Sequence, residues 1–275
     1  MGHGDFIFFC PVKFAKSNKV RIAALDVRLE RFADPKECIL LPFPYAGVVP
    51  RRFQLDGQEN SFRFYGRTAW KSIYVRVKAM NALQNNRLYL HGTMGVGKSY
   101  LLAGLVCQLQ REGVKVVYLP DCYELLLCEP SVLYILPSLY CAFYQDPVLG
   151  RKVKELAQSF LEKGRTREDL EWEMVMFCNL AAQVERHILW VIDQADALDN
   201  GEHDRVSRKK KIQTCRLLDG LSSKHMKLVS STANYSATKY DQVRATSESQ
   251  ISMYMGLDDV SFSTLFNRVG PLTMP

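Results

Sequence analysis

Three residues of this sequence promise chemistry by type and spacing: Lys98, Ser99 and Asp193. Lys98 and Ser99 close the run GTMGVGKS at 92–99, which fits the pattern G-x-x-x-x-G-K-[ST]. Its glycines let backbone N–H groups curl around an anion with no side chain in the way. A lysine adds a mobile point charge for phosphate oxygens, and a serine hydroxyl is a hard oxygen ligand for Mg²⁺. The chemistry is therefore the binding of a polyphosphate, with Gly92, Thr93, Met94, Gly95, Val96, Gly97, Lys98, Ser99 and Tyr100 as the binding run. Asp193 ends the apolar run ILWVI at 188–192. A buried strand with a carboxylate at its tip is the Walker B pattern, placed to hold the hydration shell of the same Mg²⁺. Ser99 and Asp193 are thus the expected metal residues.

Both clusters need elements to position them. Leu88, Tyr89 and Leu90 form a short strand-like run before the loop, and Leu101, Leu102, Leu105, Val106 and Leu109 recur at helical spacing after it. The loop therefore opens a helix whose free N–H groups and positive dipole end face the anion. Upstream, Trp70, Ile73, Tyr74, Val77, Met80 and Leu83 predict a helix with Thr68 as its cap. Arg67, just ahead of it, reads equally as a surface arginine or as a residue flanking the nucleotide base. Downstream, VKVVYL at 114–119 predicts a strand, leaving Asp121 at the edge where open α/β sheets bind ligands.

Residues 124–186 read as helical, kinked at Pro137. Thr166 and Asp169 resemble a capping box, opening a helix whose stripe Trp172, Val175, Met176, Asn179 and Leu180 is expected in the core. HMKLVSS at 225–231 predicts another strand. The polar residue beyond it, Asn234, stands at the sensor position, with Ser230, Ser231 and Thr232 competing for that role. Residues 257–266 read as a short helix.

Strands separated by helical sequence need crossover connections and so pair in parallel. The expected fold is a three-layer α/β P-loop NTPase with a mainly parallel sheet, a strand being inserted along the chain between the Walker A and Walker B strands. The expected domains are an N-terminal arm or small subdomain at 1–60, the NTPase domain at 61–240 and a short helical segment at 241–275. In the sheet, the Walker B strand is expected to neighbour the loop strand, because Asp193 must approach Ser99 through one Mg²⁺.

A hydrophobic content of 47% with 24% charged residues reads as a globular chain, and no apolar run approaches the length of a membrane span. The eight cysteines form no C-x-x-C pair and read as reduced residues of an intracellular protein, in cytoplasm or nucleus. The histidines do not join them at zinc spacing, so no metal beyond nucleotide-bound Mg²⁺ is expected. The net charge of +7 is scattered apart from the run Arg208, Lys209, Lys210, Lys211. That run reads as a solvated helix face, with nuclear import or nucleic-acid contact as the alternative.

The residue after Asp193 is Gln194, where many ATPases of this layout carry a glutamate to orient the attacking water. A glutamine can orient water and cannot act as a strong base. Asp196 and Asp199 are the carboxylates that could substitute.

Several phrases in order, FYGRTAWKSIY, GTMGVGKSYLLAGLV, VVYLPDC, VIDQADAL and SSTAN, resemble the P-loop NTPase domain of the Crinkler-type effector proteins of oomycetes and fungi. The resemblance spans 64–234. It implies ATP or GTP binding through Gly92, Gly97, Lys98 and Ser99, Mg²⁺ coordination through Asp193, and action inside a host cell, often in its nucleus. The start of the chain lacks that family's header motif, and the chain has no room for its C-terminal nuclease domain.

Two functions of different kind follow: a nucleoside triphosphate hydrolase using Lys98, Asp193, Gln194 and Asn234, or a nucleotide-binding switch with little turnover. A protein partner or a second copy of the chain is compatible with either. A small-molecule kinase is the weaker third reading, since Arg244 and Arg268 show no lid pattern.

Overall fold

The computed structural model describes residues 11–25, 27–56, 60–160, 162, 164–199, 206–232 and 250–253. The order begins with α1 (Pro11–Ala23), α2 (Leu29–Ala33), β1 (Cys38–Pro42), β2 (Leu55–Asp56), β3 (Ser61–Tyr65) and α3 (Ala69–Lys78). It continues with β4 (Arg87–Gly92), α4 (Lys98–Arg111), β5 (Val116–Leu119), α5 (Cys122–Leu127), α6 (Val132–Phe143), α7 (Gly150–Ser159) and α8 (Arg167–Gln183). It closes with β6 (Leu189–Ile192), a 3-10 turn at Ala195–Leu198, α9 (Arg208–Ser222), β7 (Met226–Thr232) and β8 (Gln250–Met253).

Two sheets organise these elements. The main one is five-stranded, in the order β5-β6-β7-β4-β8, and every pairing in it is parallel. The crossover from β4 to β5 runs one way along the sheet, and those from β5 to β6 and β6 to β7 run the other way. Right-handed connections then place α4 on one face and α8 with α9 on the opposite face, giving three layers. The small sheet is antiparallel, in the order β1-β3-β2, and it crosses residue 60 because β3 pairs with both of its partners.

The Walker B strand β6 does not neighbour the loop strand β4: β7 lies between them. The expectation of direct neighbours overlooked how far side chains reach beyond the strand ends. β7 ends in small residues, Ser230, Ser231 and Thr232, over which both flanking strands present their tips.

α4 is buried on every side, from Leu101 through Leu109. A helix apolar all round must be covered all round, and here the small sheet and α1 together cover the side the main sheet does not. A Cβ at Gly104 would lie 2.7 Å from the Phe64 ring of β3, and the Cys107 thiol donates to the Pro42 carbonyl of β1 at 3.2 Å. The small sheet, with Phe43, Phe53, Phe62 and Phe64 buried, thus belongs to the same core as the main sheet.

Other local expectations resolve individually. The capping box forms, with the Asp169 N–H donating to Thr166 Oγ1 and the Thr166 N–H donating to Asp169 Oδ2, both at 3.1 Å. α6 is continuous through Pro137, and the next residue, Ser138, accepts the outward N–H of Tyr118 on edge strand β5 at 2.7 Å. The stripe expected in the core of α8 is a correction: Trp172 is 64% and Met176 47% exposed, while Leu170, Met174, Phe177, Cys178 and Ala181 are buried. Both lines have helical period, and the period alone does not say which one meets the sheet. α1 and α2 are helices in the stretch read as an N-terminal arm or small subdomain, and β8 is a strand inside the 241–275 segment expected to be helical. Asn234 and residues 257–266 lie outside the described residues. Every cysteine among the described residues is a free thiol, and no helix among them is long and apolar enough to cross a membrane.

His225, at the start of β7, is 1% exposed and bridges two elements. Its Nδ1 accepts the Ile188 N–H at 3.3 Å, and its Nε2 lies 3.0 Å from the Cys178 carbonyl of α8. Burial lowers its pKa from 6.5 to about 4, because protonation would charge a group shut off from water. The unfolded chain then binds the extra proton between pH 6.5 and about 4, so stability should fall as pH falls through that window and level off below it. His91, lowered by its own burial, adds in the same direction. Denaturant titrations across this range should show the slope in the wild type and a smaller one in His225→Asn.

Candidate nucleotide site

The site is built where β4 ends and α4 begins. Gly97 has φ +79°, a left-handed conformation that L side chains avoid, and it turns the chain from the loop into the helix. Gly92 is required for a different reason: a Cβ there would sit 1.9 Å from the Met253 carbonyl oxygen of β8. Met94 projects at the loop's outer side, 76% exposed. The first N–H groups of α4 face this loop without a side-chain cap, which leaves them to an anion.

Lys98 is buried, and its ammonium donates to the Gly92 and Thr93 carbonyls at 2.8 and 2.7 Å. It therefore braces the loop as well as charging it. Burial lowers its pKa, opposed by the carboxylates of Asp193 and Asp196. Asp196 thus lies close enough for its charge to act on the loop lysine. Asp199 instead accepts the Lys211 ammonium of α9 on its backbone carbonyl.

Asp193 is 2% exposed. Burial raises its pKa, and Arg52, the hydroxyls of Ser99 and Ser230 and the Gln194 N–H act against that rise. Gln194 follows in a left-handed conformation, φ +56°, with its N–H donating to Asp193 Oδ1 at 2.9 Å. Tyr100 turns away from the loop: its ring packs on Phe53 and Phe62, and its hydroxyl accepts the Gln54 N–H at 2.9 Å.

Two arginines complete the site. Arg67 donates from Nη1 to the Val96 carbonyl at 2.9 Å, so it grips the loop itself. Arg52, in the stretch between β1 and β2, appeared in no motif. Its Nε donates to Ser99 Oγ at 3.0 Å, its Nη1 to Asp121 Oδ2 at 2.8 Å and its Nη2 to Asp193 Oδ2 at 3.1 Å. Nη2 also donates to the Pro120 carbonyl. Burial disfavours its charge, but Asp193 and Asp121 outweigh that and raise its pKa. The sole hint in the sequence is a basic pair before Phe53 in a proline-rich segment.

The donor set fits a divalent cation. Ser99 and Asp193 offer hard oxygen atoms, and both already meet at one positive group, the Arg52 guanidinium. Among the described residues no cluster of three or more His, Cys, Asp or Glu offers a second metal site.

A family model described as Nephrocystin 3, N-terminal, matches residues 74–232. None of the curated proteins compared with the sequence matches it. Among solved structures, the chain is similar to AMPPCP-bound DnaA from Aquifex aeolicus at 13% identity and a TM-score of 0.38, over 74% of this chain and 51% of that one. It is similar to Cdc6p from Pyrobaculum aerophilum at 14% identity and a TM-score of 0.37, over 78% of this chain and 49% of that one. The chain thus spans about half the length of the structures it matches.

Gly97→Ala tests the loop geometry. Its left-handed backbone should cost about 1–2 kcal/mol. The new Cβ would also lie 2.2 Å from Arg67 Nη2, pushing the guanidinium off the Val96 carbonyl. Thermal unfolding of Gly97→Ala, Arg67→Ala and the double variant should show non-additive losses, since the clash exists only with both side chains present. Additive losses would mean that the two do not touch.

Proposed function

This chain belongs to the nephrocystin 3 N-terminal family, and from that premise we propose that it binds a purine nucleoside triphosphate with Mg²⁺ and hydrolyses it. ATP is the first candidate and GTP the second. The observation that carries the reading is the meeting of Lys98, Ser99 and Asp193 at the uncapped start of α4, with a single guanidinium joining the last two. Ser99 and Asp193 would hold the metal, which supplies charge neutralisation at the phosphates when bound. Lys98 and the N–H groups of the loop and α4 bind the phosphate oxygens, and Arg67 holds the loop in the shape that presents those groups. Asp196, whose charge acts on Lys98, and Gln194, whose N–H donates to Asp193, would orient a water in this reading, with Asn234 as the sensor.

Gln194 favours a second reading, a nucleotide-dependent switch with little turnover, because an amide cannot take the proton from an attacking water. The resemblance to Crinkler-type proteins supports a finer reading as an intracellular effector-like or regulatory NTPase with a protein partner or a second copy.

Phosphate release should be magnesium-dependent and fall to background in Lys98→Ala, which loses charge-assisted contacts worth roughly 1.5–3 kcal/mol each. Equal slow release by both proteins would sink the hydrolase. Intact triphosphate bound to the purified wild type without turnover would favour the switch.

Gln194→Glu keeps the shape of the side chain and its left-handed backbone. If a missing base limits the rate, single-turnover release should rise, a general base contributing about 10²–10⁴-fold. If Asp196 already serves, that substitution should do little and Asp196→Asn should abolish release.

A further inference from the structure

Resting on the nucleotide reading above, we propose that Arg52 is a phosphate-positioning residue that exchanges places with the divalent cation and then holds the terminal phosphate of the triphosphate.

The argument begins with competition for oxygen atoms. Arg52 occupies Ser99 Oγ and Asp193 Oδ2, the two atoms best suited to a metal in this site. A small divalent cation binds such oxygens at about 2.0–2.1 Å, which leaves no space for a guanidinium N–H at 3.0 Å. Cation and arginine exclude each other at these atoms, and the doubly charged ion is the stronger competitor in a buried site.

The second step is tethering. Arg52 is also bound to Asp121 Oδ2 at 2.8 Å and to the Pro120 carbonyl, neither of which belongs to the metal set. Asp121 is itself fixed, its Oδ1 capping α5 through the Tyr123 and Glu124 N–H groups. The backbone of Arg52 is pinned as well. The Arg52 carbonyl accepts the Tyr100 hydroxyl at 3.3 Å, and the next residue, Phe53, is buried against Phe43, Phe62 and Tyr100. A guanidinium displaced from Ser99 and Asp193 therefore stays at the site and does not swing out to solvent.

The third step is what it meets there. Before exchange Arg52 balances Asp193 and Asp121 together. A metal on Asp193 takes over that balance and frees the guanidinium fork for the phosphate that arrives with the metal. Planar guanidinium matches phosphate in a bidentate way, and the γ-phosphate would bring the additional charge that a freed fork can hold. A diphosphate lacks the γ-phosphate, so Arg52 should tell triphosphate from diphosphate.

The test uses the full chain with mant-ATP and mant-ADP in excess Mg²⁺, and Mn²⁺ alone followed by electron paramagnetic resonance. Arg52→Ala should reduce the preference for ATP over ADP by at least about tenfold, while tightening Mn²⁺ binding measured without nucleotide. Arg52→Lys keeps a charge without the fork and should lose part of the preference; it carries the test if the alanine variant does not fold. An unchanged preference in the folded variants, or Mn²⁺ binding no tighter without Arg52, overturns the proposal and reduces Arg52 to a neutraliser of Asp193. If the wild type binds neither nucleotide, the nucleotide reading itself falls.

Discussion

A helix that is apolar around its whole circumference cannot lie on one sheet and leave its back to water, and this constraint shapes the molecule. Leu101, Leu102, Leu105 and Leu109 of α4 are all at most 1% exposed. Burying each contributes roughly 1.5–3 kcal/mol, so exposing a whole side of α4 would cost a large part of an ordinary domain's stability. The small antiparallel sheet, with α1 beside it, covers that side. Its position then decides what else reaches the site, because α4 begins at the phosphate loop. Cover for the helix brings the stretch between β1 and β2 to Ser99, and the turn after β3 to Val96.

The second constraint is electrostatic. Asp193 lies at the tip of a strand in the middle of the sheet, where a carboxylate left alone costs about 3–5 kcal/mol. It must face a cation. Arg52 meets that requirement through Asp193 Oδ2. The tie between the stretch joining β1 to β2 and the loop at Ser99 therefore follows from one buried charge.

The legible part of this architecture was the part in which local sequence and global fold demand the same residues. The loop glycines, the apolar run ending in Asp193, and the Thr166 and Asp169 cap each encode their geometry within a few positions. Where two arrangements satisfy the same local pattern, the sequence was silent. The α8 stripe has an equally periodic rival two residues along, and only packing against α9 and α7 selects between them. The placing of β7 between β4 and β6 is not encoded locally, because adjacency in a sheet is a long-range property of crossovers. β8 is only four residues long, too short for its alternation of Gln250, Ile251, Ser252 and Met253 to stand out, yet it makes Gly92 obligatory by laying the Met253 carbonyl against it. Arg52 was invisible for the same reason: it acts through Ser99, Asp121 and Asp193, which lie 47, 69 and 141 positions away.

The family match at 74–232 covers the loop, β6 with Asp193 at its end, and β7. It does not cover Arg52, Arg67 or β8, although all three touch the loop or its ligand groups. The physical unit of the site is therefore larger than the matched segment. Separating residues 74–232 from what precedes them would uncover α4, leave Asp193 without its guanidinium and remove the hold on Val96. Those losses fall on one face and act together, because Phe53 and Phe62 pack against Tyr100 of the same helix that carries Lys98 and Ser99. The N-terminal sheet therefore belongs to the same packed unit as the loop and the start of α4.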